Sequence, residues 1–326
     1  MPLLEVKDLK TYFNTRRGVI KAVNGVSYSV EAGRTLGIVG ESGSGKSVSA
    51  MSILGLVDSN GWIEGGEILF EGTDMTKLSR NEMYKMRGNA ISVIFQEPMT
   101  SLNPVVKVGK QVREAILNHQ KMDKAEAKKR VIEVFRQVGI SEPEKRYECY
   151  PHELSGGLRQ RVMIAMAMVC RPKLMIADEP TTALDVTIEA QILKLIKNLC
   201  DTTGMSCLLI SHNLGVIAQM CDYVYVMYAG KVVEQGDVFT LFDHPQHPYT
   251  KGLLASIIHL DELPERLSTI PGVVPNLMHL PEGCAFCSRC SEAMECCKTK
   301  KPELHDLGNG HVIRCFLPAE REAAHE

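Results

Sequence analysis

Residues 40–47 read Gly40-Glu-Ser-Gly-Ser-Gly-Lys-Ser47, the G-x-x-x-x-G-K-S spacing of a phosphate-binding loop. Gly40, Gly43 and Gly45, with Ser42 and Ser44 between them, let successive backbone N–H groups turn inward around phosphate oxygens. Lys46 would reach the β- and γ-phosphates of ATP, and Ser47 would ligate Mg²⁺. An apolar run precedes the loop and a helical pattern from Val48 to Leu56 follows it, so a helix N-terminus adds its positive dipole end. A surface turn, the bland reading, has no need of both flanks. Many protein classes use such a loop, so by itself it implies a nucleoside triphosphate site and little more.

A second group of residues concerns hydrolysis. Leu174-Met-Ile-Ala-Asp178-Glu179 is an apolar run ending in two carboxylates. There Asp178 can hold Mg²⁺ while Glu179 polarises the attacking water; the competing reading is a helix N-cap acid. Leu154-Ser155-Gly156-Gly157-Leu158-Arg159-Gln160 precedes the helical run Arg161–Cys170, which places a serine and two glycines at another helix N-terminus and so offers a second anion site. One nucleotide has no use for two γ-phosphate cradles in one chain. The second is therefore expected to serve a nucleotide held by a partner.

The elements that must carry these residues follow from apolar patterning. Arg34–Val39, Ala90–Phe95, Leu174–Asp178 and Cys207–Ser211 are short, largely apolar runs without alternation, separated by longer helical patterns. Such runs suit strands buried on both faces of a parallel sheet in an α/β domain. Gly66–Gly72 and Tyr223–Val233 read as antiparallel strands or hairpins with glycine at their turns, expected in an accessory sheet. From Val108 to Val138 apolar residues recur at helical spacing with a break near Lys121-Met-Asp123, which predicts two helices forming an arm within a helical subdomain of about 100–170. After about residue 240 prolines multiply and the pattern dissolves. The expected division is 1–243 for the nucleotide-binding domain and 244–326 for an appended one. There is no internal repeat and no low-complexity tract.

Composition narrows the class further. The chain has 326 residues, 44% hydrophobic and 23% charged, with a net charge of −2, which disfavours a polyanion-binding surface and so nucleic acid. Its longest wholly apolar stretch, Val162–Cys170, is far below the roughly 18 residues of a membrane span. The N-terminus lacks the basic and apolar regions of a secretory signal, so a cytoplasmic chain without disulfides is expected. Of 11 cysteines, Cys284, Cys287, Cys290, Cys296, Cys297 and Cys315 cluster near the end, while Cys149, Cys170, Cys200, Cys207 and Cys221 sit among apolar neighbours and read as core.

The Ser155 element resembles the signature sequence of the ABC ATPase superfamily, in which it completes the site across a head-to-tail dimer. That resemblance implies roles for further residues. Gln96 would attend Mg²⁺ and the water while its loop touches a membrane subunit. Ala183-Leu184-Asp185 would link the two active sites. His212 would contact the γ-phosphate and orient Glu179 and the water. Phe13, rather than its neighbour Tyr12, would stack on adenine. The implied fold is a P-loop ABC ATPase domain with an antiparallel β subdomain and a helical arm, plus a small Cys-rich C-terminal extension. Soluble repair and translation ATPases fit poorly, because this chain has one phosphate loop and no long coiled-coil or zinc insertion.

Phe95–Pro104, Ala177–Thr187 and His244–Leu254 narrow the resemblance to ATP-binding subunits of oligopeptide, dipeptide and nickel importers, from about Leu4 to Leu317. It implies a paralogous ATPase partner in a heterodimer, two transmembrane permease subunits, an extracytoplasmic solute-binding protein acting indirectly, and a peripheral location on the cytoplasmic face of the inner membrane. Dipeptides, longer peptides, nickel or another small solute stay open as cargo, as does a lyase-complex ATPase. Ile270–Pro275 and the cysteine tail resemble the D-type subunit's extension, in which four cysteines bind a 4Fe-4S cluster. The matching positions are Cys284, Cys290, Cys297 and Cys315. Cys287 and Cys296 are extras, and the C-x2-C-x2-C run leaves zinc as an alternative.

Overall fold

The computed structural model describes residues 2–96, 101–182, 184–256 and 270–318. They form two compact units, one of Met1–Val30, Thr35–Thr76 and Ile210–Glu326, the other of Glu31–Arg34 and Lys77–Leu209. The described tail and the phosphate loop both lie in the first unit.

In the first unit, β1 (Leu4–Thr15), β2 (Gly18–Val30), β4 (Gly61–Phe70) and β5 (Thr73–Asp74) form an antiparallel sheet in the order β2-β1-β4-β5. Leu4 and Val6 point inward at period two, and Asp8, at φ 46° and with its N–H on Ser27 Oγ at 2.9 Å, interrupts that alternation. The inward set resumes at Leu9 and Thr11. A register shift of this kind is a β-bulge, which re-aims the strand while keeping its apolar face covered.

The same unit holds β3 (Thr35–Val39), β9 (Tyr223–Tyr228) and β10 (Lys231–Asp237). β9 pairs parallel with β3, from Leu36 opposite Tyr223 to Val39 opposite Val226. It pairs antiparallel with β10, to which the tail adds β12 (Val312–Ile313) and then β11 (His305–Asp306). The expected accessory placement of the Tyr223–Val233 hairpin is therefore corrected. Five of the six β9 residues are buried, and a strand covered on both faces belongs inside a layered sheet, not in an open antiparallel flap.

In the second unit, β6 (Ile91–Ile94) pairs parallel with β7 (Leu174–Asp178), and β8 (Ser206–Ser211), whose first four residues belong to this unit, lies on the other side of β7. The predicted arm is two helices. α3 (Val108–His119) buries Val108, Val112 and Ile116, and α4 (Lys124–Gln137) buries Ala127, Val131, Val134 and Phe135. These are i, i+3, i+4 and i+7 spacings that make one apolar stripe. The break between them is chemical: Asp123 caps α4, accepting from Ala125 N at 2.7 Å and Glu126 N at 2.9 Å. α6 (Gly156–Met168) packs against α3, α4, β6 and α7 (Val186–Thr203), which explains why it is buried nearly all round.

Cys170, Cys200, Cys207 and Cys221 are buried as expected, but Cys149 is not a core residue. It lies half-exposed just beyond the short helix α5 (Pro143–Tyr147), its Sγ 3.5 Å from the Lys145 carbonyl. Among the described residues no helix is long and apolar enough to cross a membrane.

Candidate nucleotide site

β3 runs into the phosphate loop, which runs into α1 (Lys46–Ile53). Two of its glycines are demanded by close backbone. A Cβ on Gly40, at φ 150°, would stand 2.1 Å from the Met227 carbonyl oxygen, and one on Gly45, at φ 99°, would stand 2.3 Å from that of Ala22. Gly43 faces open space, with nothing within 4 Å of where its Cβ would be. Lys46 is only 5% exposed and folds back on the loop, its Nζ donating to the carbonyls of Gly40 at 2.7 Å and Glu41 at 3.0 Å. Ser44 Oγ is buried without a hydrogen-bond partner among the described residues. A buried hydroxyl without a partner is costly unless a ligand satisfies it, and Ser44 beside Lys46 in a glycine-rich turn fits a phosphate group. Ser42 is exposed and Ser47 half-buried at the same loop.

Both candidate adenine partners sit on β1. Phe13 lies over the backbone of Gly61, where a Cβ would meet its ring at 2.6 Å, so that glycine makes room for it. Tyr12 is engaged elsewhere: its hydroxyl donates to Asn24 Oδ1 at 3.0 Å, its ring meets Trp62 edge-on at 6.2 Å, and Lys21 Nζ lies 5.6 Å from its centroid. His212 is exposed directly after β8. Its backbone is fixed on both sides, since Ser211 Oγ accepts from Asn213 N at 2.9 Å and Asn213 caps α8 (Leu214–Met220).

In the second unit Asp178 closes β7 at 6% exposure. Glu179 follows at φ 45°, a left-handed conformation that costs a non-glycine residue about 1–3 kcal/mol and collects at functional sites. Gln96 Nε2 donates to Glu179 Oε2 at 2.8 Å, and Thr182 Oγ1 donates to the same oxygen at 3.1 Å. Gln96 is expected from the motif around it; Thr182 is not, although a threonine three residues past the carboxylate is within reach of a turn.

The signature residues cap helices as well. Ser155 is the N-cap of α6, accepting from Leu158 N at 3.4 Å, with Gly156 and Gly157 in the first turn. A Cβ on Gly157 would press on Ile188 Cγ2 at 3.1 Å. Fully buried Gln160 sends Nε2 to the Pro180 carbonyl, so the helix that starts at Ser155 is tied to the turn that follows Glu179. The N-cap acid considered for the Asp178-Glu179 pair is instead Asp185, which caps α7 by accepting from Ile188 N at 2.9 Å. Ala183 and residues 97–100 of the motif around Gln96 lie outside the described residues.

In the tail, Cys284 is pushed up to about 11 by burial first and then by Cys297, Cys315 and Cys290. Cys290 and Cys315 are raised too, by burial first, each also through Cys297. Cys287 enters through Cys290. These effects draw Cys284, Cys290, Cys297 and Cys315 together as neighbours, yet among the described residues no group of three or more His, Cys, Asp or Glu could hold a metal ion. The expected metal centre, cluster or zinc, is thus not preassembled.

Comparison with known proteins agrees with this geometry. A family profile described as "ABC transporter" matches residues 23–182, and one described as "Oligopeptide/dipeptide transporter, C-terminal region" matches 233–297. The oligopeptide transport ATP-binding protein AppD of Bacillus subtilis (strain 168) is 51% identical over 322 residues, covering 98% of each chain. OppD of Haemophilus influenzae, with the same descriptive name, is 50% identical over 320 residues at 98% coverage of each. Among solved structures, the ATP-binding cassette MJ0796, in a dimeric post-hydrolysis state bound to ADP and Pi, superposes with a TM-score of 0.65 at 26% identity, over 72% of this chain and 98% of that one. With an intact phosphate loop, a glutamine-held glutamate and near-full-length identity of this order, the chain belongs to the ABC transporter ATPases, in the branch of the oligopeptide transport ATP-binding proteins.

Proposed function

We propose that this chain hydrolyses ATP to power peptide import, paired with a paralogous ATPase beneath two permease subunits on the cytoplasmic face of the membrane. The observation that carries hydrolysis is the strained, doubly hydrogen-bonded Glu179 beside buried Asp178. Peptides as cargo rest on the relatives, which are named for oligopeptides, and on the C-terminal profile; nickel and a lyase complex draw no such support.

In this reading Gly40, Ser42, Gly43, Ser44, Gly45 and Lys46 hold the phosphates, and Phe13 stacks on adenine. Ser47, Asp178 and Gln96 would hold Mg²⁺, which neutralises charge developing on the phosphoryl oxygens. Glu179 takes the proton of the attacking water, and His212 orients glutamate and water. Ser155, Gly156, Gly157 and Gln160 act on the partner's nucleotide, and Asp185 links the two sites. Binding closes the pair, and hydrolysis lets it reopen.

The proposal extends to the tail, where Cys284, Cys290, Cys297 and Cys315 hold a 4Fe-4S cluster. The mutual influence of the four thiols on one another's titration is the support for a shared site. Bound there, the group would tie down a loop-rich segment.

The test is reconstitution of the chain with its membrane subunits, partner ATPase and binding protein in liposomes. Uptake of labelled di- to pentapeptides that requires ATP is expected. Nickel uptake with no peptide uptake would overturn the cargo.

A further inference from the structure

The second residue of the phosphate loop, Glu41, is held from the C-terminal region. Arg289 lies in the single 3-10 turn Cys287–Arg289, inside the cysteine run, and is 6% exposed. Its Nη1 donates to Glu41 Oε2 at 2.6 Å and its Nη2 to Glu41 Oε1 at 2.9 Å, a two-pronged guanidinium–carboxylate pair. The remaining donors are also taken: Nε by the Pro271 carbonyl at 2.9 Å, and the second hydrogens of Nη2 and Nη1 by the Ile270 carbonyl and the Tyr228 hydroxyl, each at 3.4 Å. All five N–H groups of the fork thus have acceptors. The Ile270-Pro271-Gly272 segment supplies two of them, and Gly272 leaves the space, since a Cβ there would sit 3.2 Å from Arg289 Cγ.

A second residue of the tail grips the same loop position. Glu41 N donates to Tyr249 Oη at 2.8 Å. Tyr249, fully buried on α10 (Pro248–Ala255), packs with Tyr228 at 4.7 Å and Phe286 at 5.4 Å between ring centroids. Glu41 in turn supports the cradle with its carbonyl, which accepts from Lys46 Nζ at 3.0 Å and from Ser44 N at 3.2 Å. Glu41 lies in the stretch matched by the ABC transporter profile, whereas Tyr249 and Arg289 lie in the stretch matched by the C-terminal one.

We infer that Arg289 is a positioning residue for nucleotide binding: with Tyr249 it clamps Glu41, so the C-terminal region sets the shape of the phosphate loop and the affinity of this chain for nucleotide. Arg289 touches no phosphate itself. It fixes the backbone whose N–H groups and lysine do, and displacement of such groups lowers binding without altering the chemistry that follows.

The experiment measures MgATP KM and kcat for the assembled transporter, and MgADP affinity of the full chain by equilibrium dialysis, for R289A, R289K, E41Q and the double variant E41Q/R289A. R289A is expected to raise KM and the MgADP Kd about tenfold, one decade of affinity being about 1.4 kcal/mol, with kcat within about twofold of wild type. R289K should fall between, because it keeps the charge and loses the fork. E41Q alone should reproduce R289A, and the double variant should be no worse than either, the signature of a shared interaction. E41Q keeps Arg289 in place and so reads the clamp even if R289A loosens the tail. Wild-type affinity in both single variants, additive losses in the double variant, or a fall in kcat at unchanged KM would each overturn the assignment.

Discussion

Gln96 Nε2 donates to Glu179 Oε2 at 2.8 Å, joining a residue two past the end of β6 to the residue directly after β7. Parallel pairing brings Ile94 opposite Ala177, so the two strand ends finish side by side and present an amide to a carboxylate. The amide thereby orients the carboxylate that the proposed cycle uses as its base. An amide can hold a glutamate in place, whereas a lysine at the same position would suppress its basicity.

Replacing Gln96 by alanine should slow hydrolysis about 10- to 100-fold, the range for losing one oriented polar group, and leave nucleotide affinity nearly unchanged. Steady-state ATPase rates beside MgADP binding check this. Unchanged turnover would remove Gln96 from the catalytic apparatus.

His247 makes folding stability sensitive to acid. Its Nδ1 accepts from Tyr249 N at 3.0 Å, and burial holds the ring at about 4, below its ordinary 6.5. The folded state therefore binds fewer protons than the unfolded one between these values, so this contribution is full above about 6.5 and is lost as pH falls toward about 4. Burial raises Glu234, but hydrogen bonds from His311, Thr250 and the Gln246 and His247 backbone together lower it on balance, which adds a loss at lower pH. Denaturant unfolding across this range should show a shallower slope in H247N, which keeps a capping acceptor. Equal slopes would contradict the assignment.

The cysteine tail is tested by iron. Anaerobically purified protein should be brown and contain about four irons per chain, the content of one 4Fe-4S centre, and C290S or C297S should lose both colour and iron. C287S should retain them. A colourless protein without iron, or one holding zinc alone, would remove the cluster.

The chemistry was legible because its residues are contiguous. The loop at 40–47, Ser155–Gln160 and Asp178-Glu179 each occupy one local element, and their flanking runs reveal the strand or helix that carries them. β1 and β2 were less legible. The bulge at Asp8 breaks the period-two pattern that marks a half-buried strand. The Tyr223–Val233 hairpin was recognised but misplaced, since the partner of a parallel strand lies far off in sequence, here at Leu36–Val39. The link from Arg289 to Glu41 spans 248 positions and carries no local signal at all.

In the proposed cycle Glu179 activates water in a site that binds ATP without its help. E179Q, which keeps size and hydrogen bonding but cannot take the proton, should bind MgATP with wild-type affinity and turn it over at least about 10²-fold more slowly in the assembled transporter. Near-normal turnover by E179Q would contradict the claim.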